Sequence, residues 1–495
     1  MLENYLEGLI QQARQVELID PIDEVYVRNR VYALVKQQPV QAEHPVTDET
    51  IPNLLEKIIE EAVSQKIIEN VFDEKEMFSA ELMNCFIARP SVINAIFHEK
   101  FNRNPKEATD YFYTLSKNSN YIQMNRIQKN ILFKADTAYG SMDITINLSK
   151  PEKDPEQIKR EKQMKQDVNY PPCLLCVENE GYQGRVGYAA RANHRIIEIP
   201  LEHEKWYLQY SPYVYYDEHS ILLSEKHRDM KISQETFKRL LSFIEQFPHY
   251  FIGSNADLPI VGGSILSHDH YQAGNYTFTM DNAKTKFDFT LPDFPDVKAK
   301  ALDWPLATVR LQCVDKKTLV AAANSVFEQW KKYEDKDAEI IPFTKDTPHN
   351  TVTPIARMND GLFELDLVLR NNRTSDEHPL GIFHPHADVH HIKRENIGLI
   401  EVMGLAVLPA RLKDELEEIK KGLLKESNNI ADYHVEWAEV LFKKYPNVTT
   451  DQEATAIIQT EVGKKFAKAL DDAGVFKNDA AWTRFLEDMK VKVGV

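Results

Sequence analysis

One stretch of the chain decides how the rest is interpreted: Gly262-Gly263-Ser264-Ile265-Leu266-Ser267-His268-Asp269-His270-Tyr271-Gln272. Alternate residues of an extended strand line one face, so the pattern predicts that His268, His270 and Gln272 project together, about 7 Å per pair of residues. A paired glycine and Ser264 stand just upstream, where the backbone can approach a phosphate closely. Two neighbouring imidazoles can divide the chemistry, because one can hold a metal while the other attacks phosphorus.

Length and charge narrow the classes of protein. At 495 residues the chain is long enough for two or more domains of about 150 residues each. The net charge of −16 argues against a nucleic-acid binder and against an anionic membrane surface, but a local basic cluster could still receive a small anionic substrate. The acidic start lacks the cationic region of a secretory signal. The longest apolar run, residues 397–410, is too short to span a bilayer. We therefore expect a cytoplasmic protein.

The spacing of the cysteines is informative. Cys85 and Cys313 are isolated, and we expect inert core thiols. Cys173 and Cys176 form a Cys-x-x-Cys pair, which is the spacing of two zinc ligands. A redox pair is typical of a helix start in a thioredoxin-like unit, and the flanking Pro171-Pro172 does not fit that setting. A metal pair is favoured, with a buried thiol pair or a redox pair as the alternatives.

A zinc ion on this cysteine pair would need two further ligands, and two histidines are the natural candidates. His227 lies at the end of a predicted strand, and His268 belongs to the opening stretch. His227 could equally be a surface histidine that caps the strand. Four protein ligands would close the coordination sphere, so the metal would be structural and would hold the strand that presents His270.

Hydrophobic periodicity divides the chain into four regions. Residues 1–130 are predicted to be mainly helical, and residues 131–290 carry alternating, strand-like segments around one helix that Ser233 caps. A similar order recurs over 291–412, and 413–495 forms a charged helical cap. We therefore predict an α+β fold with a mainly antiparallel sheet in two related halves and with helical N- and C-terminal extensions.

The opening stretch resembles a known family. His268-Asp269-His270-Tyr271-Gln272 matches the His-x-His-x-Gln signature of the galactose-1-phosphate uridylyltransferases, a branch of the histidine-triad superfamily. The Cys-x-x-Cys pair and the segment 211–227 are similar to the motifs that precede the signature in that family. Residues 23–30 and the long helical ends resemble the second, bacterial class, over essentially the whole chain. The resemblance implies a histidine-triad-like sheet and a homodimer with each active site near the interface.

Carried over position by position, the resemblance implies that His270 is the nucleophile and that Gln272 and Ser264 contact the phosphate. It also implies a zinc site formed by Cys173, Cys176, His227 and His268. His270 would attack the α-phosphorus of UDP-glucose and release glucose 1-phosphate, and galactose 1-phosphate would then accept the uridylyl group. This is covalent catalysis with ping-pong kinetics. A neutral imidazole, with an ordinary pKa of about 6.5, can attack without a strong base.

A substrate with two phosphates also needs positively charged side chains around it, because the protein as a whole is acidic. The candidates are Arg185, Arg191, Arg195, Lys226 and Arg228. We expect one or two of them to bind phosphate, although a solvated surface position is the commoner fate of an arginine. Asn255 is a candidate contact for the ribose or the hexose.

The chain departs from the better-known class of the family at two points. That class has proline between its two histidines, where this chain has Asp269, whose side chain we expect on the opposite strand face. It also has a second metal site with histidines on a C-terminal strand. The corresponding segment 363–370 carries Glu364 and Asp366 instead, so we expect no iron site. The histidines over 378–391 could form a metal site, but their loop setting fits a solvated turn at least as well, so we assign them no role.

Three functions fit these motifs. The first is a uridylyltransferase that moves UMP between hexose 1-phosphates in galactose metabolism. The second is a histidine-triad nucleotide hydrolase or phosphorylase, which would use water or phosphate in the second step. The third is a zinc-stabilised nucleotide-binding protein without chemistry, in which His270 is a core histidine.

Overall fold

The computed structural model describes residues 1–40, 45–46, 48–149, 169–263, 265–426 and 429–493. The chain forms two compact units. The first unit comprises Met1–Lys129 and Ser149–His227, and the second comprises Asn130–Leu148 and Arg228–Val495. The four regions drawn from the sequence remain a prediction.

Helices dominate both ends of the described chain. In order they are α1 (Leu2–Gln15), α2 (Glu24–Leu34), α3 (Ile51–Ser64), α4 (Phe72–Asn84), α5 (Pro90–Arg103), α6 (Pro105–Asn118), α7 (Met124–Ile127), α8 (Gln234–Gln246), α9 (Lys316–Trp330), α10 (Leu399–Val402), α11 (Leu412–Leu423), α12 (Asp432–Lys444), α13 (Asp451–Ala473) and α14 (Asp479–Asp488). Within the described ranges, no helix is both long enough and apolar enough to cross a lipid bilayer.

Strands occupy the middle of the chain. They are β1 (Ile131–Thr137), β2 (Gly140–Ile146), β3 (Ile197–Leu201), β4 (Glu204–Tyr210), β5 (Ser220–Ser224), β6 (Phe251–Gly253), β7 (His270–Gly274), β8 (Thr285–Thr290), β9 (Lys298–Leu302), β10 (Thr308–Cys313), β11 (Phe343–Thr344), β12 (Thr347–Pro348), β13 (Asn350–Asn359), β14 (Leu362–Asn371), β15 (Leu405–Leu408) and β16 (Lys492–Val493). Strands β1–β2, β3–β4–β5, β11–β12 and β16–β8–β9–β10–β14–β13–β6–β7 pair antiparallel with their neighbours in these orders, whereas β15 pairs parallel with β2. The predicted α+β fold with helical ends is confirmed.

The first unit builds its core from amphipathic helices. The α1 side chains of Leu6, Leu9 and Ile10 are fully buried, as are Leu54 and Ile58 of α3. These residues recur at intervals of three and four, so each helix presents one apolar stripe to its neighbours. The unit also contains the antiparallel strands β3, β4 and β5 in that order.

The second unit contains a long antiparallel sheet in the order β16–β8–β9–β10–β14–β13–β6–β7. One row of paired residues across five of its strands is apolar: Ala273, Ile252, Ala356, Leu365 and Leu311. All five are essentially inaccessible to solvent. Helices α8 and α9 pack on these strands and cover the apolar face.

The other face of this sheet is polar. The adjacent row contains Gln272 on β7, Gly253 on β6, Ile355 on β13, Asp366 on β14 and Arg310 on β10. Because side chains alternate along each strand, this row points away from the apolar one. The sheet therefore keeps its hydrophobic packing on one side and presents polar groups, including Gln272, on the other.

A buried ion-pair network occupies this polar face. Arg310 Nε lies 2.6 Å from Asp366 Oδ1, and Arg357 Nη1 lies 2.6 Å from Glu364 Oε1 and 2.8 Å from Asp366 Oδ2. Both carboxylates are fully buried. Burial raises the pKa of Asp366, but the attraction of the two guanidinium groups outweighs it and lowers the pKa overall. Glu364 and Asp366 are thus both engaged by arginines.

The substitution Asp366→Ala tests this network. It should lower the free energy of unfolding by about 3–5 kcal/mol, because it removes a partner of two buried guanidinium groups. Urea unfolding followed by circular dichroism measures the change. The matched control is Glu328→Ala, which removes an exposed pair with Lys331 and should change the free energy by less than about 0.5 kcal/mol. Equal unfolding midpoints for the two variants would contradict the prediction.

Candidate active site and metal centre

The cysteine pair lies in a compact loop that brings two thiols together with a histidine. The Sγ atoms of Cys173 and Cys176 are 3.4 Å apart, and Cys176 Sγ is 3.1 Å from His227 Nδ1. The side-chain amide of Asn179 donates to the carbonyl oxygens of both cysteines, each at 2.8 Å. The backbone N–H of Leu175 also points at Cys173 Sγ, at 3.4 Å. These contacts hold the two sulfurs on one side of the loop.

Four predicted ligands come together. Cys173, Cys176, His227 and His268 each offer one ligand atom, and all four atoms lie within 4.8 Å of one another. Tetrahedral zinc, with bonds of about 2.3 Å to sulfur and about 2.0 Å to nitrogen, holds its ligand atoms roughly 3.3–3.8 Å apart. The donor set of two thiols and two imidazoles therefore fits a metal ion in both chemistry and spacing. His227 is exposed, whereas His268 is fully buried.

The strand that carries His270 begins later than the sequence pattern predicts. Strand β7 begins at His270, so His270 and Gln272 lie on one strand face but His268 precedes the strand. The expectation that all three side chains share one strand is wrong for His268. The reason is a loop contact: the N–H of Asp269 donates to the carbonyl oxygen of Arg228 at 2.7 Å, which holds this part of the chain outside the ladder.

His270 is held in a defined protonation state. Its Nδ1 lies 2.8 Å from the carbonyl oxygen of His268, which can only accept a hydrogen bond. Nδ1 must therefore carry the proton, and Nε2 keeps its lone pair. Burial lowers the pKa of His270 to about 4, so the ring is neutral at pH 7. A neutral imidazole with a bare Nε2 can act as a nucleophile.

Asp269 faces away from His270, as the strand alternation predicts. Its Oδ2 lies 3.2 Å from Arg228 Nε and 3.9 Å from Arg239 Nη1. Arg239, on helix α8, also donates to the hydroxyl of Tyr271 at 3.3 Å. Since α8 covers the apolar face of the sheet, residues 269 and 271 are held from the side opposite His270 and Gln272.

The glycine pair upstream is packed tightly. A Cβ atom on Gly262 would lie 2.5 Å from the carbonyl oxygen of Ala256, and one on Gly263 would lie 2.7 Å from Asn255 Nδ2. Asn255 cannot easily yield, because it is 5% exposed and its Oδ1 accepts the N–H of Leu399 at 2.9 Å. Both glycines are therefore sterically required. Ser264, the predicted phosphate contact, lies outside the described residues.

The predicted phosphate-binding arginines have different surroundings. Arg185 lies over the ring of Tyr188 at 4.4 Å and donates to the carbonyl oxygen of Tyr170 at 2.9 Å. Arg191 lies 5.5 Å above the ring of Tyr121. Arg228 contacts Asp269, as described above. The assignment of these three side chains to phosphate stays a prediction, as does that of Asn255 to a sugar.

The sequence did not point to a polar cavity in the first unit. It has a volume of about 130 Å³, and Arg191, Tyr121, Asn120 and Tyr213 are among the residues that line it. Among the described residues, Asn120 Oδ1 and the Tyr121 hydroxyl have no hydrogen-bond partner, although both are buried. No local motif marks these residues, because they come from distant parts of the chain.

Comparison with known proteins identifies the relatives of this chain. Residues 17–229 match the family model for the N-terminal domain of galactose-1-phosphate uridyl transferase, and residues 243–439 match the model for its C-terminal domain. Among solved structures, yeast Ap4A phosphorylase is similar over 71% of this chain and 93% of its own chain, with 13% identity and a TM-score of 0.32. A score that low does not establish a common topology.

Curated relatives match almost end to end. The galactose-1-phosphate uridylyltransferase of Clostridium perfringens is 50% identical over 96% of each chain. Galactose-1-phosphate uridylyltransferase 1 of Streptococcus pneumoniae is 48% identical over 99% of each chain, and that of Fusobacterium nucleatum is 49% identical over 96% of this chain and 95% of its own. Identity at this level over this length shows that the chain belongs to the galactose-1-phosphate uridylyltransferase family, a family of nucleotidyltransferases.

Proposed function

We propose that this chain transfers UMP from UDP-glucose to galactose 1-phosphate through a covalent uridylyl intermediate on His270. The observation that carries the proposal is the hydrogen bond from His270 Nδ1 to the carbonyl oxygen of His268, at 2.8 Å. It leaves the Nε2 lone pair for attack on phosphorus. The family to which the chain belongs supports the choice of substrates.

The first step forms a bond from His270 Nε2 to the α-phosphorus of UDP-glucose. The bond from that phosphorus to the bridging oxygen breaks, and glucose 1-phosphate leaves with the electron pair. The ring becomes cationic, because Nδ1 keeps its proton while Nε2 is phosphorylated. The hydrogen bond to the His268 carbonyl then becomes charge-assisted and stronger.

The second step reverses the first with a different acceptor. A phosphate oxygen of galactose 1-phosphate attacks the α-phosphorus, and the bond to Nε2 breaks. The products are UDP-galactose and neutral His270. Splitting the displacement in two lets both hexose phosphates use one site in turn, with ping-pong kinetics.

The charge on the phosphoryl oxygens needs positioned donors in both steps. The proposal assigns this role to the amide of Gln272, which lies two residues after His270 on the same face of β7, and to the hydroxyl of Ser264. Arg185 and Arg191 are proposed to add positive charge around the two phosphates. Asn255 is proposed to contact a sugar. The hydrogen bond that it accepts from the N–H of Leu399 also keeps its side chain packed against the glycine pair.

The metal is proposed to be zinc, held by Cys173, Cys176, His227 and His268. Soft thiolates with two imidazoles are a typical zinc ligand set, and four protein ligands make the site structural. When bound, the zinc would fix the segment that ends in His270. The chain is proposed to act as a homodimer in the cytoplasm, on the strength of its family resemblance.

Incubation with UDP-glucose and no acceptor tests the reaction. We expect one stoichiometric burst of glucose 1-phosphate and an acid-labile protein adduct that carries UMP. His270→Ala should abolish both products, because it removes the nucleophile. The matched control is His203→Ala, at an exposed turn between β3 and β4, which should keep the burst. Continuous release of UMP would instead indicate a hydrolase, and neither product would indicate a binding protein.

Metal analysis tests the zinc assignment. Cys173→Ser should lose most of the bound zinc, because a hydroxyl is a poor substitute for a thiolate ligand. Cys85→Ser changes an isolated thiol and should keep a full complement. Equal zinc contents in the two purified variants, measured by plasma mass spectrometry, would refute the site.

The substitution Gly262→Ala tests the glycine pair. Its Cβ would lie 2.5 Å from the Ala256 carbonyl oxygen and 2.7 Å from that of Leu258, so the backbone must shift. A displacement of about 1 Å near the reacting groups should slow the burst by roughly a hundredfold. The control is Gly361→Ala at the β13–β14 turn, where φ is +77° and a Cβ meets nothing within 4 Å, so the backbone strain stays at that turn and the burst should persist. A normal burst in Gly262→Ala would show that the loop does not position substrate.

A further inference from the structure

The peptide group between His268 and Asp269 is fixed at both of its polar ends. Its carbonyl oxygen accepts the Nδ1–H of His270 at 2.8 Å. Its N–H donates to the carbonyl oxygen of Arg228 at 2.7 Å. Because the peptide group is planar and rigid, fixing the N–H direction also fixes the direction of the carbonyl. The two hydrogen bonds are linked in series, so each polarises the other.

A second contact between the same two residues reinforces the first. Asp269 Oδ2 lies 3.2 Å from both Nε and Nη2 of Arg228. The Asp269 side chain is 7% exposed, so little water screens this interaction. Arg228 therefore holds residue 269 through its backbone carbonyl and through its guanidinium group together.

Helix α8 supplies a third support. Arg239 Nη1 lies 3.9 Å from Asp269 Oδ2 and donates to the hydroxyl of Tyr271 at 3.3 Å. Asp269 and Tyr271 flank His270 and point away from it. The backbone on both sides of His270 is thus anchored to the opposite face of the sheet, which leaves the polar face to His270 and Gln272.

We propose that Asp269 and Arg228 form a positioning pair that orients the 268–269 peptide group and thereby selects the His270 tautomer with a bare Nε2. The pair is proposed to act through this peptide group and not through contact with the reacting atoms. The inference rests on the proposed role of His270 and adds how its reactive form is maintained.

The physical consequence is a change in rate rather than in substrate affinity. If the peptide group rotates, Nδ1–H loses its fixed acceptor, and the neutral ring can place its proton on Nε2 instead. That tautomer has no lone pair at the attacking nitrogen. UDP-glucose would still bind, so the loss should fall on kcat and on the burst rate, with little change in KM.

The test compares Asp269→Asn, Asp269→Ala and Arg228→Lys with Glu235→Gln. Asp269→Asn loses the charge but keeps a polar side chain, whereas Asp269→Ala removes the partner of the Arg228 guanidinium group. Glu235, on α8, forms an exposed pair with Lys238, so its variant is the matched control. We expect the burst to slow roughly tenfold in Asp269→Asn and roughly a hundredfold in Asp269→Ala, with KM for UDP-glucose in both within about twofold of the parent. The burst rate of Glu235→Gln should be unchanged.

Nitrogen-15 NMR of histidine-labelled protein gives a readout independent of activity. In the parent, His270 should show a protonated Nδ1 and an unprotonated Nε2, and in Asp269→Ala the Nε2-protonated tautomer should appear. The zinc content of each variant checks that the loop remains folded. If Asp269→Ala does not fold, Asp269→Asn and Arg228→Lys carry the same test, because both keep a polar side chain at the altered position.

The outcomes separate this inference from the proposed function. Parent-like burst rates in the folded variants, a loss carried by KM, or an unchanged His270 tautomer in each of them would overturn the positioning pair. If the parent forms no uridylyl adduct at all, the proposed function fails, and the NMR comparison still decides whether Asp269 and Arg228 set the tautomer.

Discussion

The chemistry that we propose for this protein depends on one hydrogen bond, from Nδ1 of His270 to the carbonyl oxygen of His268. An imidazole in water exchanges its proton between two nitrogens, and only one tautomer presents a lone pair at Nε2. The carbonyl oxygen of His268, two residues earlier in the chain, fixes the proton on Nδ1 without the use of another side chain. It can do so because the strand begins at His270, which leaves His268 free to turn its carbonyl toward the ring.

The sheet of the second unit explains how a polar site can sit on a stable scaffold. Its apolar face packs under α8 and α9, and that burial supplies the stability. Its other face carries Gln272 and, farther along the same row, Asp366 and Arg310. Burying such charges has a large desolvation cost, which good ion-pair geometry offsets. The network therefore contributes specificity of strand pairing more than net stability.

Local patterns were enough to find the candidate metal ligands, but the tertiary contacts around them were not predictable from such patterns. The Cys-x-x-Cys spacing, the chemistry of two imidazoles and the family resemblance led to Cys173, Cys176, His227 and His268, which the structure brings together. The helix after Ser233 was predictable for the same reason, since its cap is local. The start of β7 was predicted two residues too early, because the contact that ends the loop comes from Arg228, 41 residues away. The cavity at Asn120 and Tyr121 was missed because its lining residues share no motif.

His268 would connect the proposed metal centre to the proposed nucleophile within a single residue. Its imidazole belongs to the group of four ligands, whereas its carbonyl oxygen accepts the proton of His270. A metal bound there would fix the ring of His268, and through the short side chain it would restrict the backbone that carries this carbonyl. Arg228 directly follows His227 in the chain, and its carbonyl oxygen accepts the N–H of Asp269. The candidate ligands and the proposed positioning groups thus alternate along two short segments, 227–228 and 268–269. A structural metal in this arrangement would act on reactivity through backbone orientation alone, without contact with the substrate.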